Sequence, residues 1–185
     1  VAPVPAAARL LDGDHLVASA TASAPLAQEA QTPVTVAAAH AAEERYEGLS
    51  DHPFPTCFSC GTARDPDDAL CLRPGPLDDE SRRYATSWIP REASVPLVWA
   101  ALDCPGGWSA GIAGRPMVLG TMTTEVSALP EPGVAHTVLA WHRGSQGRKH
   151  FSGSALVAPD GRVLARAEAT WIAVDPTTIR PREIS

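Results

Sequence analysis

The chain is poor in aromatic residues, which make up 5% of its 185 residues. Methionine is equally scarce, at two. A core built on bulky rings is therefore excluded, and abundant alanine points to close backbone approach in its place. Positive charge is also in short supply. Fifteen Lys and Arg against 21 Asp and Glu leave a formal charge of −6, which argues against nucleic acid as a partner and against adsorption to anionic membranes. No apolar run approaches the roughly 20 residues of a membrane-spanning helix. Four cysteines are too few for a disulfide scaffold in a chain of this length, so reduced thiols and a cytoplasmic location are expected. The opening "VAPVPAAARLL" lacks the ordered charged and apolar regions of a signal peptide. It also lacks an initiator methionine, which suggests that preceding sequence has been removed.

What is present reads as α+β. In "VLARAEATWIAV" (163–174), Val163, Ala165, Ala167, Ala169, Trp171 and Ala173 fall on one face, and Arg166, Glu168 and Thr170 on the other. This is the period-two pattern of a half-buried strand. "HFSGSALV" (150–157) precedes it as a second strand, with an Asp-Gly hairpin signal in "APDGR" between them. "PMVLGTMTTEV" (116–126) and "HTVLAWHR" (136–143) complete a predicted four-stranded antiparallel meander, and "RRYATSWIP" (82–90) supplies a further strand.

A helix is predicted over 94–103, "SVPLVWAALD", with Ser94 as its N-cap and Pro96 in the first turn. It is apolar nearly all round, which predicts burial on most sides. Cys104-Pro105-Gly106-Gly107 is expected to end it directly after Asp103. A second helix is predicted within 32–48, capped by Thr32 or Thr35. The front of the chain, "ARLLDGDHLVASATAS" (8–23), reads like "ALVAPDGRVLARAEAT" (155–170): strand, Asp-Gly turn, then alternating alanines. An internal repeat is therefore expected. It divides the chain into a first-repeat remnant (1–48), a loop-rich connector (49–79), a main domain (80–176) and a tail (177–185).

The candidate chemistry centres on Asp103, a lone carboxylate on an apolar helix that is able to serve as a general base or nucleophile. A position facing the negative end of a helix dipole would raise its pKa. Gly106 and Gly107 are able to expose backbone N–H groups, although a glycine pair more often ends a helix. Thr121, Thr123 and Thr124 offer hydroxyls from a strand, and alternation lets only some of them face the helix. Trp99, Trp108 and Trp141 suit the lining of an apolar binding site, with core packing as the ordinary role of tryptophan. Arg143, Arg148 and Lys149 form a basic cluster suited to phosphates, against the plainer reading of a solvated turn. His52, Cys57, Cys60 and Cys71 have an irregular spacing for zinc (x4, x2, x10), and a turn with buried thiols is preferred, with no metal and no cofactor expected.

"CFSCGTARDPDDALCLRPG" (57–75), "VWAALDCPGGWSAG" (98–111) and "VLAWHRGSQGRKHFSGSALVAPDGRVLARAEATWIAV" (138–174) together resemble the acyl-CoA thioesterase-like branch of the hotdog superfamily. The resemblance covers about residues 52–175 and, with the front hairpin, suggests a double-hotdog arrangement. It implies an antiparallel sheet wrapped around a central helix, an acyl-CoA or related thioester as ligand, Asp103 as the activating acid and a homodimer. Many such thioesterases carry a His-Gly-Gly segment before the helix, where this chain has "REASVPLV" (91–98). That departure keeps a non-catalytic acyl-CoA-binding or structural role open beside hydrolysis.

Overall fold

The computed structural model describes residues 7–27, 31–79 and 81–178. Its centre is a six-stranded antiparallel sheet formed by β3 (Gly75–Pro76), β4 (Arg83–Trp88), β5 (Met117–Val126), β6 (His136–Gln146), β7 (Lys149–Val157) and β8 (Val163–Ala173), in the order β3-β4-β6-β7-β8-β5. The predicted strands all form within a few residues of their expected limits. The meander forms over β6-β7-β8 but does not include β5 in the expected place. β5 pairs with β8 at the far edge, while β4 takes the place beside β6. The Pro/Gly link after β5 is thus a crossover and not a hairpin, a distinction that local turn chemistry does not encode.

The helix α2 (Val95–Ser109) lies on one face of the sheet. Alternation along β8 explains the close fit. Ala165 and Ala167 pack with Val98, Ala101 and Leu102 of α2, together with Val138 and Leu156 from β6 and β7. Small side chains on the sheet let the helix sink onto it, as the alanine face predicts. A Cβ at Gly106 would lie 2.6 Å from Ser152 Oγ, and one at Gly107 3.1 Å from the Trp171 ring. Both glycines therefore serve the helix–sheet contact.

The other face carries α1 (Val36–Ala42), which packs on β4 and β6. Its N-cap is Thr35, whose Oγ1 accepts from the Ala38 N–H at 3.1 Å. The predicted helix is shorter than 32–48. After Ala42 it continues as two single 3₁₀ turns, Glu43–Arg45 and Glu47–Leu49. Ala39 and Ala42 meet Ala85, Leu139, Trp141 and Ala155 of the sheet.

Glu43 fastens this layer to β4. Its Oε1 accepts from the Ser87 N–H and Ser87 Oγ at 2.7 Å each, and from Thr86 Oγ1 at 3.0 Å. Removing the acceptor leaves three donors to find others in a half-buried seam. Glu43→Ala is expected to cost about 2 kcal/mol, read as a lower urea midpoint with an unchanged slope.

The front hairpin, β1 (Ala7–Asp12) and β2 (His15–Thr21), forms its own two-stranded sheet. Every residue in it is exposed, including Leu10, Leu11, Leu16 and Val17. The two stretches that read alike both fold as antiparallel hairpins, each with a left-handed glycine in its turn, Gly13 at φ 59° and Gly161 at φ 85°. Among the described residues, no helix is long and apolar enough to cross a membrane.

Candidate active site

Asp103 does not end its helix. α2 runs through Pro105, Gly106 and Gly107 to Ser109, so the expected dipole effect at a helix C-terminus is absent. The proline is tolerated because tertiary partners serve the backbone around it. Ser59 Oγ donates to the Ala100 carbonyl at 2.8 Å, and Ser154 Oγ donates to that of Leu102 at 2.7 Å. A proline inside a helix removes one ladder bond, and hydroxyls from the loop and the sheet brace the carbonyls on either side of that gap.

The carboxyl is nevertheless perturbed. Burial pushes Asp103 up to about 7, with the neighbouring Cys57 adding to the rise. Its Oδ1 is buried and has no hydrogen-bond partner. A buried polar atom left unpaired costs stability and calls for an explanation. A second such atom lies on β5, which α2 contacts: Thr124 Oγ1 is also buried and unpartnered.

Thr124, and not Thr121 or Thr123, is the threonine that faces the helix. Register pairs Met122 with Ala169, Thr124 with Ala167 and Val126 with Ala165, the alanine face, whereas Thr121 and Thr123 pair with Thr170 and Glu168 on the other side. The bulge between Leu119 and Thr121 sets this phase, and a one-residue bulge exchanges the faces of a strand. A run of Thr-Met-Thr-Thr does not announce it.

The remaining predicted residues are dispersed. Trp99 is partly exposed on α2, at 37%, whereas Trp108 is fully buried, edge-on to Tyr46 and His52 with centroids 4.7 and 5.2 Å away. Gly106 and Gly107 are buried against β7 and β8. Arg143 pairs with Glu168 at 2.8 Å, on the face of the sheet turned away from α2. Arg148 and Lys149 are exposed at the turn between β6 and β7. A groove of about 170 Å³ lies on that same outer face, bounded by Val34, Leu139, Trp141, Val157 and Arg166. Of the predicted site residues it contains only Trp141.

The side of α2 that carries Cys104 is covered by the loop over residues 52–61. Cys57 Sγ lies 3.4 Å from Cys104 Sγ, and Trp108 Nε1 donates to Cys60 Sγ at 3.4 Å. Tyr46 Oη donates to the Cys60 carbonyl at 2.9 Å. Cys71, the fourth cysteine of the sequence pattern, is elsewhere, its Sγ directed at the Arg64 carbonyl. Cys104 takes its place, a residue whose spacing gave no hint of the association.

A six-stranded antiparallel sheet packed on one long helix is the hotdog arrangement. Comparison with solved structures agrees. A thioesterase superfamily protein superposes with a TM-score of 0.50 at 15% identity, over 58% of this chain and 57% of that one. This chain thus spans less than two thirds of that protein's length. A thioesterase superfamily protein from Shewanella loihica gives 0.44 at 18% identity, covering 52% of this chain and 88% of its own. A hypothetical thioesterase from Streptococcus pneumoniae, solved with coenzyme A, gives 0.47 at 10% identity, covering 50% and 81%. No protein-family profile matches the chain, and no curated protein matches its sequence. At these identities the likeness defines the fold, the hotdog fold.

Proposed function

We propose that the protein binds an acyl thioester beside α2 and hydrolyses it, with Asp103 as general base. The observation that carries this reading is the buried, unpartnered Oδ1 of Asp103 on the central helix. Fold stability gains nothing from such a group, and catalysis has a use for it. The carboxylate removes a proton from water as the oxygen attacks the thioester carbonyl. The tetrahedral intermediate then expels the thiolate, which takes up a proton, leaving an acid and a free thiol. Thr124 Oγ1, the other unpartnered buried oxygen, is suited to hold that water or the carbonyl oxygen. Coenzyme A is the expected carrier, and Arg148 and Lys149 at their exposed turn are the residues proposed to meet its phosphates. Arg143 is a weaker choice because of its pairing with Glu168.

Two observations favour a second reading, that of an acyl-thioester binder without turnover. Ser94-Val95-Pro96 offers no glycine at the helix entry, and Pro96 has no N–H to give an oxyanion. The described groove also lies on the far face of the sheet from α2. Incubation of the protein with acyl-CoAs of short to long chain, following free coenzyme A and binding in parallel, separates the two. Release above the uncatalysed rate supports hydrolysis. Binding without release on any chain length supports the binder, and neither binding nor release rejects both.

A further inference from the structure

The three thiols around α2 form a cluster that the thioester reading leaves unused. We infer that Cys57, Cys60 and Cys104 are a binding site for a thiophilic metal ion, Zn²⁺ in the first instance, that joins the 52–61 loop to helix α2.

Among the described residues this is the one group of three or more potential ligands that converge, their sulfurs all within 4.8 Å of one another. Zinc–sulfur bonds of about 2.3 Å in a tetrahedron place sulfurs about 3.8 Å apart. The 3.4 Å between Cys57 and Cys104 needs little adjustment to reach that value. No disulfide joins any pair, and all four cysteines of the chain are free thiols.

The loop has the build of a metal knuckle. Cys57-Phe58-Ser59-Cys60-Gly61 turns tightly, with the Gly61 N–H donating to the Cys57 carbonyl at 2.9 Å. A Cβ at Gly61 would stand 2.5 Å from the carbonyl oxygens of Cys57 and Pro55, so only glycine fits. Cys60 receives the Trp108 indole N–H. Donors on sulfur are what a cluster of thiolates needs, since three of them leave a net negative charge after a divalent ion is bound.

His52 has a different part from the one its sequence spacing suggests. Its Nδ1 accepts from the Phe54 N–H at 3.0 Å, so in the neutral ring the proton sits on Nε2. Nε2 then donates toward the Cys60 carbonyl at 3.1 Å and the Cys60 sulfur at 3.4 Å. The histidine is therefore a donor to a ligand and not itself a ligand. Cys57 and Cys104 are only half-buried, which leaves the fourth position to water. The inference stands apart from the thioester reading and holds or fails without it.

The test uses the full chain, reduced and stripped with a chelator, then titrated with Zn²⁺ against a competing dye. One ion per chain is expected, with Cys57, Cys60 and Cys104 protected from a thiol reagent and Cys71 still reactive. Cobalt in place of zinc is expected to give thiolate charge-transfer absorption. Cys104→Ser is expected to weaken binding by more than the roughly 10–100-fold that follows loss of an outer-shell partner, and Cys71→Ser to leave it unchanged. Cys57→Ala gives the same reading should Cys104→Ser fail to fold. The inference is overturned if the wild-type chain takes up no ion at micromolar Zn²⁺, if binding survives loss of Cys104 or Cys57, or if the thiols only oxidise to a disulfide.

Discussion

Leu102→Ala is expected to remove about 3–5 kcal/mol of stability, the upper part of the range for a leucine cut back in a closed core. Leu102 is 1% exposed and sits where α2, β6, β7 and β8 meet. The sheet residues in the same core cluster include Ala165 and Ala167, which have no side-chain length to extend into the space. Backbone movement is resisted as well, because Ser154 holds the Leu102 carbonyl and Ser59 that of Ala100. The cavity therefore stays open, and the cost is the lost transfer energy plus the void. Chemical denaturation of the two proteins reads this directly. A loss below about 1 kcal/mol would mean that the helix settles onto the sheet more freely than this packing allows.

Asp103→Leu is expected to act in the opposite sense and stabilise the fold, by about 1–3 kcal/mol, the cost of a buried polar group with no partner. Oδ1 is such a group, and burial already holds the carboxyl up to about 7. Leucine keeps the branching at Cγ, is somewhat larger, and removes the desolvated oxygens altogether. The same variant is expected to have no thioester turnover. Gain of stability with loss of activity is the signature of a site maintained at the expense of the fold. If Asp103→Leu is instead destabilising, the carboxyl has a structural partner and the catalytic reading loses its main support.

Much of the fold was legible because it rests on local patterns. The alternating alanines of β8 gave both the strand and the face that meets α2, and the Asp-Gly signals gave two hairpins. The acid on an apolar helix was legible for the same reason. What was hidden depended on contacts made elsewhere in the chain. Pro105-Gly106-Gly107 reads as a helix stop, yet the helix continues because Ser59 and Ser154 brace neighbouring carbonyls and Ser152 and Trp171 fill the space beside the glycines. Sheet order was hidden too: nothing in β5 says that β8 is its neighbour. The bulge in β5 decides which of Thr121, Thr123 and Thr124 turns inward, and it selects Thr124. Cys104 joined Cys57 and Cys60 across 47 residues of sequence, a distance at which spacing carries no information.

The most direct measurement is the rate of coenzyme A release from the best-bound acyl-CoA by the wild-type protein and by Asp103→Asn. Asparagine keeps the shape and removes the base. The wild type is expected to turn over, and the variant to fall by about 10²–10⁴-fold, the contribution of a positioned general base, while still binding the substrate and melting no lower. Equal rates in the two proteins, or no release by the wild type from any acyl-CoA that it binds, would contradict Asp103 as the base.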